Sequence, residues 1–371
     1  MHYKVKFFDY PAQFKERSSQ YLKIITEVLS RGSYIMGQDL QRFEVNLAKF
    51  AKAKYAIGVA NCTDALLLAL WAAGIKSGDE VICVSHTFVA TIEVIRLIGA
   101  KPVLIDIADD HNMDINLIES AITKKTKAIL PVHLNGRVCA GMDTLLKTAK
   151  AHNLAVVEDA AQSLGASYKN KKAGTFGSAG AFSFYPAKLL GAFGDAGAVI
   201  TNSKQMADAI RLLRDHGRDA QGKVRRWGLN CRLDNMQAAI LDAKLKKVPE
   251  WISRRRAIAS QYHLGLQGIK EIALPPPPAK DGEFFDVFQN YEIEAQGRDA
   301  LKHFLAQKGI GTILPWAGKG VHQLKHLKLK PFKLPRTEKL FRKALMLPMY
   351  AQLKDTQAAY VIECIRKFYN K

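Results

Sequence analysis

At 371 residues, with 48% hydrophobic content, the chain is too long for one core and has enough apolar side chains to fill two without disulfides. Its five cysteines, Cys62, Cys83, Cys139, Cys231 and Cys364, lack metal-ligand spacing; with no secretory pattern and no apolar run longer than about Ala65–Ile75, a cytoplasmic protein with reduced thiols, no metal and no membrane partner is expected. The net charge is +21, and residues 301–371 hold 15 Lys and Arg against 3 Asp and Glu, but these are spaced singly along stretches such as Gln323–Lys330 with no nucleic-acid module beside them. A solvated basic face that attracts a diphosphate-bearing substrate is expected in place of a nucleic-acid partner.

In chain order, residues from about Lys54 to about Leu245 alternate strand and helix. Strands are predicted at Tyr55–Val59, Glu80–Val84, Lys101–Ile105, Ala128–His133, Ala155–Glu158, Ala179–Phe184 and Ala198–Thr201, with helical stretches between the earlier ones. This pattern reads as a mostly parallel sheet covered by helices. A long helical run, Asn235–Leu264, leaves that core. Pro275-Pro276-Pro277-Pro278 with Lys280-Asp281-Gly282 then marks a stiff surface connection. The remainder reads as strand, helix, strand and helix, a small α+β domain. The division expected is 1–245, with an N-terminal arm of about 1–33, and 246–371.

Three features in the first region carry chemistry. Gly58-Val59-Ala60-Asn61-Cys62-Thr63-Asp64 runs into the helix Ala65–Leu70, and a helix start of small and hydroxyl residues offers N–H groups to an anion. Capping by Thr63 or Asp64 is the ordinary alternative. Asn153–Asp159 is an apolar strand ending in acid, and the carboxyl end of a strand in an α/β sheet is where such sheets put ligands; a helix N-cap is the alternative there. Between Lys172 and Lys204 the only charged side chains are Lys188 and Asp195. An ammonium in such apolar surroundings loses hydration and its pKa falls, which makes the amine a nucleophile or a proton carrier, unless its stem simply snorkels to water. One cofactor, pyridoxal phosphate, needs a lysine, a carboxylate for its ring nitrogen and an anion site together.

Ordered motifs extend this pattern from about Tyr34 to about Tyr350. They are Tyr34-Ile35-Met36-Gly37 with Phe43-Glu44, Gly78-Asp79-Glu80-Val81, Thr87-Phe88-Val89-Ala90-Thr91, Pro131-Val132-His133-Leu134 with Gly136, Glu158-Asp159-Ala160-Ala161-Gln162, Ser183-Phe184-Tyr185-Pro186-Ala187-Lys188, and Gly228-Leu229-Asn230-Cys231-Arg232-Leu233-Asp234 with Gln237-Ala238-Ala239. With these the chain resembles the DegT/DnrJ/EryC1/StrS sugar aminotransferases. The resemblance implies a fold type I aminotransferase-like α/β fold, with a mostly parallel sheet flanked by helices and a smaller C-terminal α+β domain. It implies transamination with pyridoxal phosphate, and pyridoxamine phosphate as the intermediate form, from glutamate to a nucleotide-linked ketosugar in amino-sugar biosynthesis. By the same resemblance Lys188 binds the cofactor and shuttles the proton, Asp159 pairs with the ring nitrogen and Gln162 with the ring hydroxyl. Phe88 lies on the ring face. Thr63 and Ser183, with the amides around Cys62 and Thr63, hold the phosphate, and Asn230 completes that site across a homodimer with shared active sites.

The chain departs from the family pattern at points that bear on the sugar. Cys62 stands where Gly is common, Asn135 replaces a Tyr, and Asp195-Ala196-Gly197 stands for an acid followed by two glycines. The usual Tyr-Pro-x-Pro-x-His stretch is Leu314-Pro315-Trp316-Ala317-Gly318-Lys319-Gly320-Val321-His322, from which Trp316, Lys319 and His322, together with Arg226, are expected to contact sugar or diphosphate. Two alternatives stay open: a keto-cyclitol aminotransferase, and a basic regulatory or nucleic-acid-binding protein. Family members with His for the lysine are sugar dehydratases, and Lys188 argues against that reading.

Overall fold

The computed structural model describes residues 3–279 and 281–370, so Lys280 lies outside the described residues. The chain opens with three helices, α1 (Tyr10–Lys15), α2 (Ser18–Arg31) and α3 (Gln38–Ala51). Strands and helices then alternate: β1 (Tyr55–Val59), α4 (Cys62–Ala72), β2 (Glu80–Val84), α5 (Val89–Leu97), β3 (Lys101–Ile105), α6 (Ile118–Ala121), β4 (Thr126–Ile129), α7 (Met142–Ala151) and β5 (Ala155–Asp159). A short hairpin, β6 (Ser167–Tyr168) and β7 (Lys171–Lys172), precedes β8 (Ala179–Ser183), β9 (Gly197–Thr201) and α8 (Lys204–Leu213). The order in the seven-stranded sheet is β1-β9-β8-β5-β4-β2-β3. β9 runs antiparallel to both its neighbours and the other pairings are parallel.

The strands are where the apolar runs place them, with one shift. The strand predicted at Ala128–His133 ends at Ile129, because Pro131 has no N–H to give a ladder. The backbone still pairs beyond it: Leu130 N donates to Ile82 O at 2.8 Å, Pro131 O accepts from Asp159 N at 2.9 Å, and His133 N donates to Asp159 O at 2.9 Å around the isolated Val132–Asp159 bridge.

The run predicted as one helix over Asn235–Leu264 is two, α9 (Asn235–Leu245) and α10 (Val248–Leu266). The break falls at Lys246-Lys247, where Pro249 opens a new first turn that needs no donor from that residue. Beyond it come β10 (Ile272–Ala273), β11 (Phe284–Phe285), β12 (Tyr291–Ala295), α11 (Arg298–Gln307), α12 (Pro335–Lys343), β13 (Ala344–Leu347) and α13 (Asp355–Phe368). β10, β12 and β13 form a second sheet, while β11 pairs β6.

Two apolar clusters result, a larger one around the seven-stranded sheet and a smaller one built from α10, α11, α13 and β12–β13. Two segments cross between them. Near the N-terminus Val5 sits in the smaller cluster, bridging Ile310, while Val321, Leu334 and Leu340, from a segment before α13, sit in the larger.

Buried polar groups hold the junction between the clusters. Arg255 on α10 donates to the carbonyls of Phe288, Gln289 and Met349, and burial pulls its guanidinium down to about 10. His111, after β3, meets Glu292 at 2.8 Å and Glu294 at 3.3 Å; burial opposes its charge, but the two carboxylates outweigh it and raise it to about 10.

The approach to the helix start at α4 is held by one ion pair. Glu44 on α3 accepts from Gly58 N at 2.8 Å and from Arg214, and Arg214 also donates to Gly58 O at 2.7 Å. Both backbone groups of Gly58 are therefore fixed in β1. In an Arg214→Met chain the Glu44 carboxylate loses its charge partner, so unfolding free energy from urea titration should fall by about 3 kcal/mol.

Candidate active site

Strand alternation separates the two acids at the end of β5. Glu158 is fully buried and spent on structure: it takes His133 Nε2–H at 2.8 Å and the amides of Gly174 and Gly177, each at 2.7 Å. The tautomer follows from His133 Nδ1, which accepts from Cys139 N at 3.1 Å. Asp159 points the other way. Its carboxylate accepts from Thr91 Oγ1 at 2.8 Å and from Ala161 N at 3.1 Å, and Thr87 meets Thr91 at 2.7 Å behind it.

The helix start at α4 lies one turn earlier than the apolar run suggests. Asn61 is the N-cap, with its Oδ1 on Asp64 N at 2.8 Å, so Cys62, Thr63 and Asp64 are all in the first turn and neither Thr63 nor Asp64 caps. Asp64 N and Ala65 N are taken by Asn61, which among the described residues leaves the amides of Cys62 and Thr63 open to an anion. Ser183 lies opposite, since its register partner is Gly197. A Cβ on Gly197 would come 2.4 Å from Asn61 C and 2.8 Å from Cys62 N, so only glycine lets β9 approach this cradle.

Lys188 lies in the loop that joins β8 to β9. Burial holds its amine below the ordinary lysine value, against the opposing pull of Cys62 and Asp159, so those two groups share its surroundings. The Cys62 thiol is itself pushed well up by burial and by Asp159. The loop is closed by Phe184 N to Ala196 O and Ala192 N to Phe184 O, each 2.8 Å. Gln289 then brackets the lysine: its Oε1 accepts from Leu189 N at 2.8 Å and its Nε2 donates to Ala187 O at 3.0 Å.

Gln162 is buried at the far side. Its Oε1 accepts from Asn135 N at 2.7 Å and from Asn290 Nδ2 at 3.1 Å. The segment 287–290 thus touches the surroundings of both Lys188 and Gln162. It packs so closely on Gly136, at φ +94°, that a Cβ there would lie 2.7 Å from the amides of Phe288 and Gln289.

Phe88, at the start of α5, is 56% exposed, and its ring is 5.8 Å from that of Trp316. Trp316 and Ala317 both have positive φ, 50° and 56°, which a bulky residue adopts only under constraint, and the Trp316 indole N–H is buried without a partner among the described residues.

His322 is engaged by the protein. Ser85 Oγ accepts from His322 N at 3.1 Å and so donates to Nδ1 at 2.6 Å, leaving Nε2 to carry the proton 3.5 Å from Glu338. Lys319, Arg226 and Asn230 are exposed, the last two on the turn between residues 215 and 232, and no hydrogen bond joins them to the Lys188 group among the described residues. Thr91, Gln289 and Asn290 were not singled out from sequence; Thr91 lies inside a quoted motif, but the two amides of 289–290 carry no pattern of their own.

A desolvated lysine, a buried carboxylate beside it and an open helix start are what pyridoxal phosphate requires, and on this fold they make the chain a fold type I transaminase dependent on that cofactor. The chain belongs to the DegT/DnrJ/EryC1/StrS aminotransferase family, whose model matches residues 15–366. It is 40% identical over 370 residues, 98% of each chain, to the pleiotropic regulatory protein of Geobacillus stearothermophilus. To the dTDP-3-amino-3,4,6-trideoxy-alpha-D-glucose transaminase of Streptomyces venezuelae it is 38% identical over 375 residues, 98% of this chain and 96% of the relative. Among solved structures, that of S. venezuelae DesV in complex with a ketimine intermediate matches with a TM-score of 0.94 at 38% identity, over 99% of each chain.

The bracket on Lys188 is testable apart from the chemistry. Gln289→Leu keeps the bulk and removes both hydrogen bonds. A displacement of about 1 Å at a reacting group costs on the order of 10²-fold, so kcat should fall by about that factor while KM changes far less. Steady-state kinetics separates the two.

Proposed function

We propose that this chain moves an amino group from glutamate to the keto carbon, C3 or C4, of a deoxysugar carried on a nucleoside diphosphate, by a ping-pong sequence. The observation that carries the reading is the desolvated Lys188 beside Asp159 and the open start of α4. Pyridoxal phosphate, when bound, supplies the electron sink for the carbon that carries the amino group. Around it the amides of Cys62 and Thr63, with the hydroxyls of Thr63 and Ser183, would hold the phosphate. Asp159, kept in place by Thr91 and the Ala161 amide, would hold a proton on the ring nitrogen; Gln162 would bond the ring hydroxyl and Phe88 would lie against the ring. Lys188 Nζ would hold the cofactor and, as a neutral amine favoured by burial, would carry the proton on and off the reacting carbon.

The ring of Trp316, 5.8 Å from that of Phe88, is offered to the sugar, and Lys319 and Arg226 to the diphosphate. His322 acts at one remove, shaping the loop through Ser85. The substrate class draws support from the dTDP-sugar transaminase at 38% identity. The large and small domains are taken as 1–245 and 246–371. Five free thiols fit a cytoplasmic site of action, and among the described residues no helix is long and apolar enough to cross a membrane.

The active form is proposed to be a homodimer. Trp227, 91% exposed, and Val224, 63%, lie on the same turn as Asn230, and Leu22, Leu29, Tyr34, Ile35 and Met36 add further exposed apolar surface. Asn230 then reaches the partner's phosphate site.

A panel of dTDP- and UDP-linked ketosugars with glutamate as donor tests the reading, with a free keto-inositol as the competing acceptor. Turnover is expected on a nucleotide sugar, none in Lys188→Ala, and about 10²-fold less in Asp159→Asn with the cofactor still bound. Efficient amination of the inositol alone replaces the substrate class. Subunit sharing is read separately: mixing Lys188→Ala with Asn230→Ala after proven subunit exchange should restore part of the activity, because one site of each mixed dimer regains both residues.

A further inference from the structure

Lys244 is a buried lysine that the proposed reaction does not use. It lies on α9, 1% exposed, and its Nζ donates to Gly191 O at 2.6 Å. The same ammonium is 3.8 Å from the ring centroid of Phe193 and 5.3 Å from that of Tyr21. Phe193 stands edge-on to Tyr21, at 5.1 Å, and to Phe14, at 5.9 Å, and Gln237 brackets its backbone at both N (3.0 Å) and O (2.8 Å). Gly191 and Phe193 belong to the loop that carries Lys188. The loop doubles back at Gly191, where a Cβ would lie 2.4 Å from Pro186 O. A tether on the Gly191 carbonyl therefore also fixes Pro186 and the turn in which Lys188 N bonds Tyr185 O at 2.8 Å.

We propose that Lys244 is a positioning residue for Lys188, acting through Gly191 O and the Phe193 ring, and that the Lys188 loop loosens when Lys244 loses its proton. The inference rests on the role proposed above for Lys188. Burial lowers Lys244 from the ordinary 10.5 to about 7, against the pull of Glu16. Glu16, following α1, is the charged group acting on it and favours the ammonium. Tyr21, on α2, is raised to about 12 by burial and stays neutral, and the loop itself contributes Tyr185, Lys188 and Asp195 as its ionisable groups. A neutral amine still donates to Gly191 O, but without charge assistance, and the ring faces no longer attract it.

Global stability moves the opposite way. Between about pH 7 and pH 10.5 the unfolded chain holds this proton more firmly than the folded one, so the residue's contribution to stability rises with pH while its grip on the loop weakens. A residue that only fills space gives no such opposition.

Hydrogen exchange of the full-length holoenzyme, read by mass spectrometry on peptides covering 185–196 and corrected for intrinsic rates, tests this. Between about pH 6 and about pH 8.5 the wild-type protection factor should fall roughly tenfold. Lys244→Arg, which keeps its charge throughout, should stay protected at both, and Lys244→Met should be loose at both; cofactor loss on dilution should follow the same order. The proposal is overturned if wild-type protection does not change with pH, or if Lys244→Met matches wild type at the lower pH. The Met variant decides alone if arginine does not fit. A chain that fails to aminate a nucleotide sugar leaves this exchange pattern untouched, so the two readings fail separately.

Discussion

Holding one amine in poorly hydrated surroundings is the constraint on which the rest of this structure depends. Burial favours the neutral form of Lys188, and a desolvated amine is costly to the fold. The loop that carries it is accordingly stripped of competing charge, with Asp195 as its only other charged side chain. A loop of that composition has few polar groups to anchor itself. Its anchors come from elsewhere: Gln289 on either side of the lysine, Gln237 at Phe193, Lys244 at Gly191, and the backbone bonds that close Phe184 onto Ala196.

These anchors bind the lysine's position to the packing of the two clusters. Gln289 belongs to the segment 287–290, which Arg255 pins from α10 and which fits against Gly136 with no room for a side chain. The neighbouring Asn290 reaches Gln162. A shift of the smaller cluster relative to the sheet therefore moves both ends of the site together. The strained Trp316-Ala317 turn faces Phe88 across the same junction, which is where backbone strain persists when its surroundings over-determine it.

Much of this was legible because burial leaves a compositional trace. Lys188 stood out as one of only two charges in a long stretch, and the strands as apolar runs punctuated by glycine. The helix start was misplaced by a turn because Asn61, Cys62 and Thr63 resemble a loop in composition, although Asn61 is the better cap. The break between α9 and α10 was invisible for the opposite reason: Lys246-Lys247 are good helix formers, and a Pro in the first turn of a new helix looks the same as one inside an old one until the backbone is seen. Gln289, Asn290 and Lys244 carry no local signal, since each acts on a partner about 50 residues away or more. Glu158 and Asp159 could be told apart only in part, because strand alternation says they face opposite ways without saying which way is the site.

The departures from the family pattern show what the site tolerates. The open groups at the start of α4 are backbone amides, so Cys62 in place of glycine leaves those N–H groups where they are and adds a thiol that burial keeps protonated. Asn135 has φ 56°, a conformation that asparagine adopts at small cost and a tyrosine does not, and its backbone and side chain both join the Gln162–Asn290 network. A large aromatic at that point would have to be held in place against its backbone preference. In this chain a short amide is held by two neighbouring amides instead, so the wall beside Gln162 is small and polar while the chemistry around Lys188 and Asp159 is unchanged. Asn135 is thereby bonded to the segment 287–290 that also brackets Lys188, so a change at this wall is coupled to the anchors of the lysine loop.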